Sequence, residues 1–148
     1  MKKIVVSPED FKALQGHTIE MPSFIYVGQK QVSDFVESTN TKQEGSYVPD
    51  LYLLSLTPYL WNKIMDIRNV TMVINYGLPE VRFLNRVIVG EHIRLIVNIS
   101  YVHIRLGITK VEMEFVIETM ERNMKSVEGK AVFLYYFDQV TKINYASF

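Results

Sequence analysis

The chain has 148 residues, with 16 Lys and Arg balancing 16 Asp and Glu, and no cysteine. That length suits one domain, residues 1–148, able to bury roughly two-thirds of the surface its unfolded chain exposes. The charge balance, with no basic block carrying interleaved aromatics, argues against a nucleic-acid partner; the lack of cysteine excludes a disulfide framework, a thiolate nucleophile and a Cys-based zinc site.

At the N-terminus the apolar run Ile4, Val5, Val6 is too short for a signal-peptide core. No later segment approaches the ~18 uninterrupted apolar residues of a membrane-spanning helix. A cytoplasmic protein with no membrane partner is therefore expected. Ser7, Pro8 and Asp10 form a helix start, with Phe11 and Leu14 as its apolar face and Gly16 placed to end it. Thr18 to Val27 leans towards β structure. From Gly28 the recurrence of Val32, Phe35 and Val36 predicts a surface helix ending near Thr39 and Asn40. A polar loop, Thr41 to Ser46, follows.

Pro49 to Met65 is the most distinctive stretch. Leu51, Leu54, Leu56, Tyr59, Leu60, Trp61 and Ile64 spread over most of a helical wheel, which predicts a buried central helix capped by Asp50 and kinked or split by Pro58 near Leu54. Val70 to Tyr76 reads as a short strand stopped by Gly77 and Pro79. Ile93, Leu95, Val97, Ile99 and Tyr101 then alternate with polar residues. After a turn at Arg105, Leu106 and Gly107, so do Val111, Met113, Phe115 and Ile117, and the two runs predict an antiparallel hairpin. Glu121 to Ser126 reads as a polar connection. Ala131 to Phe137, apolar on both faces, predicts a strand that lies mid-sheet or at a subunit contact. The tail after Asp138 shows no usable pattern. Helices followed by antiparallel strands, with one helix buried, give an α+β class in which the sheet curls around that helix.

Several of these strings resemble a known family. Asn75 to Phe83, NYGLPEVRF, with Val87, Ile88, Val89 and Gly90, is similar to the NodN-like branch of the MaoC-like hydratases and dehydratases, whose pattern is roughly vNYGLxxVRFxxPVxxG. Leu54 to Pro58 resembles that family's LSLLP, and Phe24 to Gln29 with Phe35 and Thr39 resembles its WitidQ…FadaTGD. The resemblance covers about Pro8 to Tyr136. It implies a hotdog fold, a curved antiparallel β-sheet wrapped around a central α-helix, with no cofactor and no metal. It also implies action on an acyl-CoA or acyl-carrier-protein thioester in fatty acid metabolism, and subunits paired as a homodimer or a hotdog heterodimer.

The chain departs from the family where the chemistry is done. The family's Asp, at the end of TGD, and its His, five residues later, move a proton to or from an enoyl or 3-hydroxyacyl thioester. Here the TGD position reads Thr39, Asn40, Thr41, and Lys42 to Tyr47 holds no histidine. The family's AHG before the central helix becomes Val48, Pro49, Asp50, so a carboxylate replaces the glycine whose backbone N–H faces the thioester oxygen. Of the three histidines, His17 follows a helix-ending glycine and His92 and His103 fall towards the ends of one strand. Glu44 and Asp50 are the weak candidates for a substitute catalyst, against the plainer readings of a solvated loop carboxylate and a helix cap. Asn40, Thr41, Ser46, Tyr52, Asn75 and Arg82 are the substrate-binding candidates, with ion pairing the structural alternative for Arg82. The leading expectation is a hotdog protein that lacks the hydratase dyad and serves as an acyl-thioester-binding or non-catalytic partner subunit. The alternatives are an active enoyl-thioester hydratase or dehydratase using non-standard residues, and an interaction module with no small ligand and a filled interior.

Overall fold

A computed structural model describes residues 2–138; the patternless tail lies outside the described residues. The chain runs β1 (Lys3–Val5), α1 (Pro8–Ala13), β2 (Thr18–Glu20), β3 (Ile25–Tyr26), α2 (Gln29–Thr39), α3 (Asp50–Ser55), α4 (Thr57–Ile64), β4 (Met65–Ile67), β5 (Val70–Phe83), β6 (His92–Arg105), β7 (Ile108–Thr119) and β8 (Lys125–Phe137). The large sheet has the order β2-β6-β7-β8-β5, all antiparallel, with β3 pairing further along β6. The sheet curls around α3 and α4, giving the α+β architecture the periodicity predicts. A two-stranded parallel pair, β1 with β4, ties the N-terminus to the end of α4; nothing in its short strands announces it.

Local signals act where expected at several points. The Ser7 hydroxyl accepts the Asp10 backbone N–H at 3.3 Å, and the Asp10 carboxylate accepts the Val6 N–H at 2.8 Å. Asn40 closes α2 in the left-handed conformation at φ 52°. The β6–β7 hairpin turns through Leu106 and Gly107, both at positive φ, the backbone that matches the twist of the flanking strands. Ile93, Leu95, Val97 and Ile99 of β6 and Val111, Met113, Phe115 and Ile117 of β7 are buried against the helices, as alternation requires.

Five expectations need correction. The rod is not buried all round. Leu53, Leu60, Trp61 and Ile64 are buried, but Leu51 and Tyr59 are 63% and 51% exposed, because the sheet covers only one flank of the helices. The rod divides at Leu56 rather than near Leu54; Pro58 then falls in the first turn of α4, where a missing N–H leaves no hydrogen bond unmade. Asp50 does not cap α3 through its side chain. It is the first helical residue, preceded by Pro49 at the cap, so its charge only faces the positive end of a short helix. Strand β5 does not stop at Gly77. It continues to Phe83, because within the described residues it pairs only with β8, and Pro79 falls in the register shift between Gly77 and Glu80. Tyr101 turns outward, since an irregularity between Ile99 and Tyr101 moves Val102 into the core in its place.

Strand β8 begins at Lys125, inside the stretch that reads as a polar connection, and lies between β7 and β5. Of its two predicted placements, mid-sheet is the one observed. Glu91, at the start of β6 and 8% exposed, receives the Arg122 guanidinium on both oxygens at 2.8 Å and the Ile88 backbone N–H at 2.7 Å. That cluster joins the β5–β6 connection to the β7–β8 loop.

Candidate functional site

Helix α4 crosses the sheet over Leu95, Val97, Phe115 and Ala131, short of full contact, and leaves a cavity of about 290 Å³ between them. A second cavity, about 430 Å³, runs along α3 past Leu51, Leu54 and Ser55 to Val132. Thr57, Pro58, Asn75, Leu78 and Phe133 line both, so the two are neighbouring lobes of one groove. The groove reaches the first turn of α3, where Leu51 stands. Its existence also answers the filled interior expected of a pure interaction module.

The walls are apolar with a few polar groups among them, the usual character of a small-molecule site. Two of those groups are already engaged by backbone: Ser55 Oγ donates to the Tyr52 carbonyl at 2.6 Å and Thr57 Oγ1 to the Leu54 carbonyl at 2.8 Å. Asn75 stands where the lobes meet. At the inner end are Trp61 and Tyr135, 8% and 3% exposed. Burial pushes the Tyr135 phenol well above its ordinary pKa, and the neighbouring Trp61 indole N–H acts in the opposite sense. That N–H nonetheless closes no hydrogen bond of good geometry. Among the described residues no Asp, Glu, His, Lys or Arg lines either lobe, so Tyr135 is the one titratable side chain in the described lining.

The predicted site residues scatter around this groove. Asn75 is in it. Tyr52 faces a separate depression of about 310 Å³ with Tyr26, Gln31 and Tyr59, its ring 5.3 Å from that of Phe35. Burial first, and then the Asp34 charge, raise its pKa. Asn40 and Thr41 lie at the exposed end of α2, where Thr41 Oγ1 meets Thr39 Oγ1 at 2.8 Å. Ser46 contributes its carbonyl to the Val89 N–H at 2.9 Å. Glu44 is paired with Arg86 at 3.1 Å, and that guanidinium covers the Tyr47 ring. Asp50 lines neither lobe. Arg82 sits seven residues beyond Asn75 on β5, roughly 20 Å along an extended strand, and pairs with Glu128 at 2.6 Å.

The histidines also lie outside the groove: His92 bonds Glu121 at 2.7 Å and His103 stacks on Tyr101. Among the described residues, no three His, Asp or Glu side chains gather as a metal site would need. The residues missed from the sequence are Trp61, as anything beyond a core aromatic, and Tyr135, whose only signal is a hydroxyl inside an otherwise apolar run.

No family model matches the chain, and none of the curated proteins does. Solved structures do. A monoamine oxidase regulatory protein from Archaeoglobus superposes with a TM-score of 0.71 at 15% identity, over 91% of this chain and 97% of its own. The 3R-hydroxyacyl-ACP dehydratase complex HadBC from Mycobacterium tuberculosis gives 0.63 at 14% identity, over 82% and 96%. An (R)-hydratase from A. caviae involved in PHA biosynthesis gives 0.60 at 19% identity, over 80% and 94%. At these identities the likeness speaks for the fold, and the fold is the hotdog of the dehydratases and hydratases.

Proposed function

We propose that this chain is a single MaoC-like hotdog domain that binds an acyl thioester, of coenzyme A or of a carrier protein, without hydrating it. One observation carries the reading: a two-lobed apolar groove runs along α3 and α4, and among the described residues no carboxylate or imidazole stands in its lining. Hydration of an enoyl thioester needs one group to take a proton from water and another to deliver one to carbon. Ser, Thr and Asn side chains supply neither near neutral pH. Glu44 is engaged by Arg86, and Asp50 lies outside the groove. The test is ultraviolet assay of crotonyl-CoA hydration beside calorimetric titration with octanoyl-CoA. We expect binding without turnover. Turnover abolished by Glu44→Gln or Asp50→Asn would overturn the reading in favour of a non-standard hydratase, and failure of both assays would favour a module without a small ligand.

The same proposal includes a second hotdog subunit on β5. Long unpaired edges invite another strand, and β5 exposes Met72, Tyr76 and Leu78 along an edge that no described strand covers. We expect a dimer at micromolar concentration by light scattering. The double variant Met72→Lys with Tyr76→Lys should give a monomer, and a monomeric parent protein would rule the homodimer out.

A further inference from the structure

Buried Tyr and Trp normally find partners for their polar ends, and an unmatched donor in a dry interior costs free energy comparable to a lost hydrogen bond. One such donor lies at the inner end of the groove, beside a phenol. Trp61 Nε1 is buried with no hydrogen-bond partner of good geometry. Beside it, Tyr135 lines the same lobe, and among the described residues no protein acceptor takes its hydroxyl proton. The arrangement is directional. An indole N–H can only donate, so beside the phenol it favours the orientation that turns the phenol oxygen towards Trp61 and the O–H into the lobe, although the contact falls short of a hydrogen bond of good geometry. We propose that this hydroxyl, oriented by Trp61, reads a neutral oxygen near the far end of the bound acyl chain, so that the groove prefers an ω-oxygenated chain to a plain hydrocarbon one.

The rest of the lobe restricts the chemistry of that end. Leu95, Val97, Met113 and Phe115 make the surrounding wall apolar, and among the described residues no Lys, Arg or His lines it. A carboxylate end would be buried without a counter-charge, which is far more costly than burying a neutral oxygen that gains a hydrogen bond. A hydroxyl or a ketone fits. The phenol, its pKa raised by burial, stays protonated and able to donate throughout the physiological range. The placement of the chain end follows from the proposed function: with the thioester head towards Leu51 at the start of α3, the distal carbons enter the lobe under α4.

The experiment compares 8-hydroxyoctanoyl-CoA with octanoyl-CoA by calorimetry, on the parent protein and on Tyr135→Phe and Trp61→Phe. A neutral hydrogen bond gained in a dry site corresponds to roughly a fivefold preference for the hydroxylated ligand. Tyr135→Phe should abolish that preference, so that the two ligands bind with equal affinity, and Trp61→Phe should reduce it. A purely structural tyrosine would weaken both ligands alike, and equal affinity of the parent protein for the two would overturn the inference. Octan-1-ol, followed by its protection of the thermal unfolding midpoint, separates this inference from the functional reading on which it rests. Binding of the alcohol that depends on Tyr135, without binding of either thioester, would remove the acyl-thioester reading and keep the oxygen-reading site. Binding of both thioesters with no preference would do the reverse.

Discussion

Alanine at position 129 is expected to destabilise the fold by about 3 kcal/mol, at the upper end of the usual range for overpacking. For a chain of this size that lowers the thermal midpoint by roughly 6–12 °C. Gly129 lies in β8 opposite Val81 of β5. A Cβ there would collide with the Glu80 carbonyl oxygen and stand 3.1 Å from both the Val81 Cα and the tip of the Phe115 ring. Two of the three obstacles are backbone, so no rotamer change relieves the clash; β5 must move away from β8. Urea unfolding followed by circular dichroism measures the loss. A midpoint unchanged within about 0.5 kcal/mol, the scatter of ordinary surface substitutions, would show that β5 yields more easily than its geometry implies.

Arg122→Met is the second large effect. It leaves the Glu91 carboxylate buried with only the Ile88 N–H as partner. Breaking a well-buried pair costs about 3–5 kcal/mol; the Arg122 side chain is 35% exposed, and solvent screening reduces the expectation to about 2 kcal/mol. The pH dependence carries its own signature. The Arg122 hydrogen bonds, helped by the Ile88 N–H and opposed by burial, hold the Glu91 pKa below its ordinary value. A carboxyl depressed in the folded state adds stability above its unfolded pKa, about 4.3, and loses that contribution as pH falls through the lower, folded value. In Arg122→Met burial acts without that opposition, so protonation relieves the strain. Denaturant midpoints measured from pH 7 down to 3 should therefore show the gap between parent and variant narrowing, first as the variant's buried carboxyl takes up its proton above the unfolded pKa and then as the parent's carboxyl passes through its depressed value. A constant gap over that range would mean Glu91 is not the group responsible.

The parts of this architecture that could be read from sequence are those with a strict local period. Ile93 to Ile99 and Val111 to Ile117 repeat every second residue and form the central hairpin as expected. The period says nothing about the irregularity that turns Tyr101 outward, because an inserted residue is a backbone event with no hydropathy signature. Gly77 and Pro79 read as stops for β5, yet an edge strand needs hydrogen bonds along one side only and can carry both. Leu51 and Leu54 read as core because residues lining an apolar groove and residues filling a core have the same composition; only the space left along α3 distinguishes them.

For the site, the residue types at the positions that resemble the family's dyad motif are legible, since Thr39, Asn40 and Thr41 cannot be mistaken for an acid and a base. The meeting of Trp61 with Tyr135 is not visible in the sequence, because α4 and β8 come together only in the packed fold. Nor is the pairing of Glu91 with Arg122, which depends on the register of β6 against β7.

The wall of the groove formed by Val73, Asn75 and Leu78 belongs to a strand that, among the described residues, pairs on one side only. If the proposed function and the proposed second subunit both hold, a chain taken up at that outer rim would enter the ligand's own equilibrium, since seating it would restrain the wall against which the ligand packs. Mass action would then make measured affinity a function of protein concentration, with occupancy governed by the supply of the neighbouring subunit as much as by the supply of ligand.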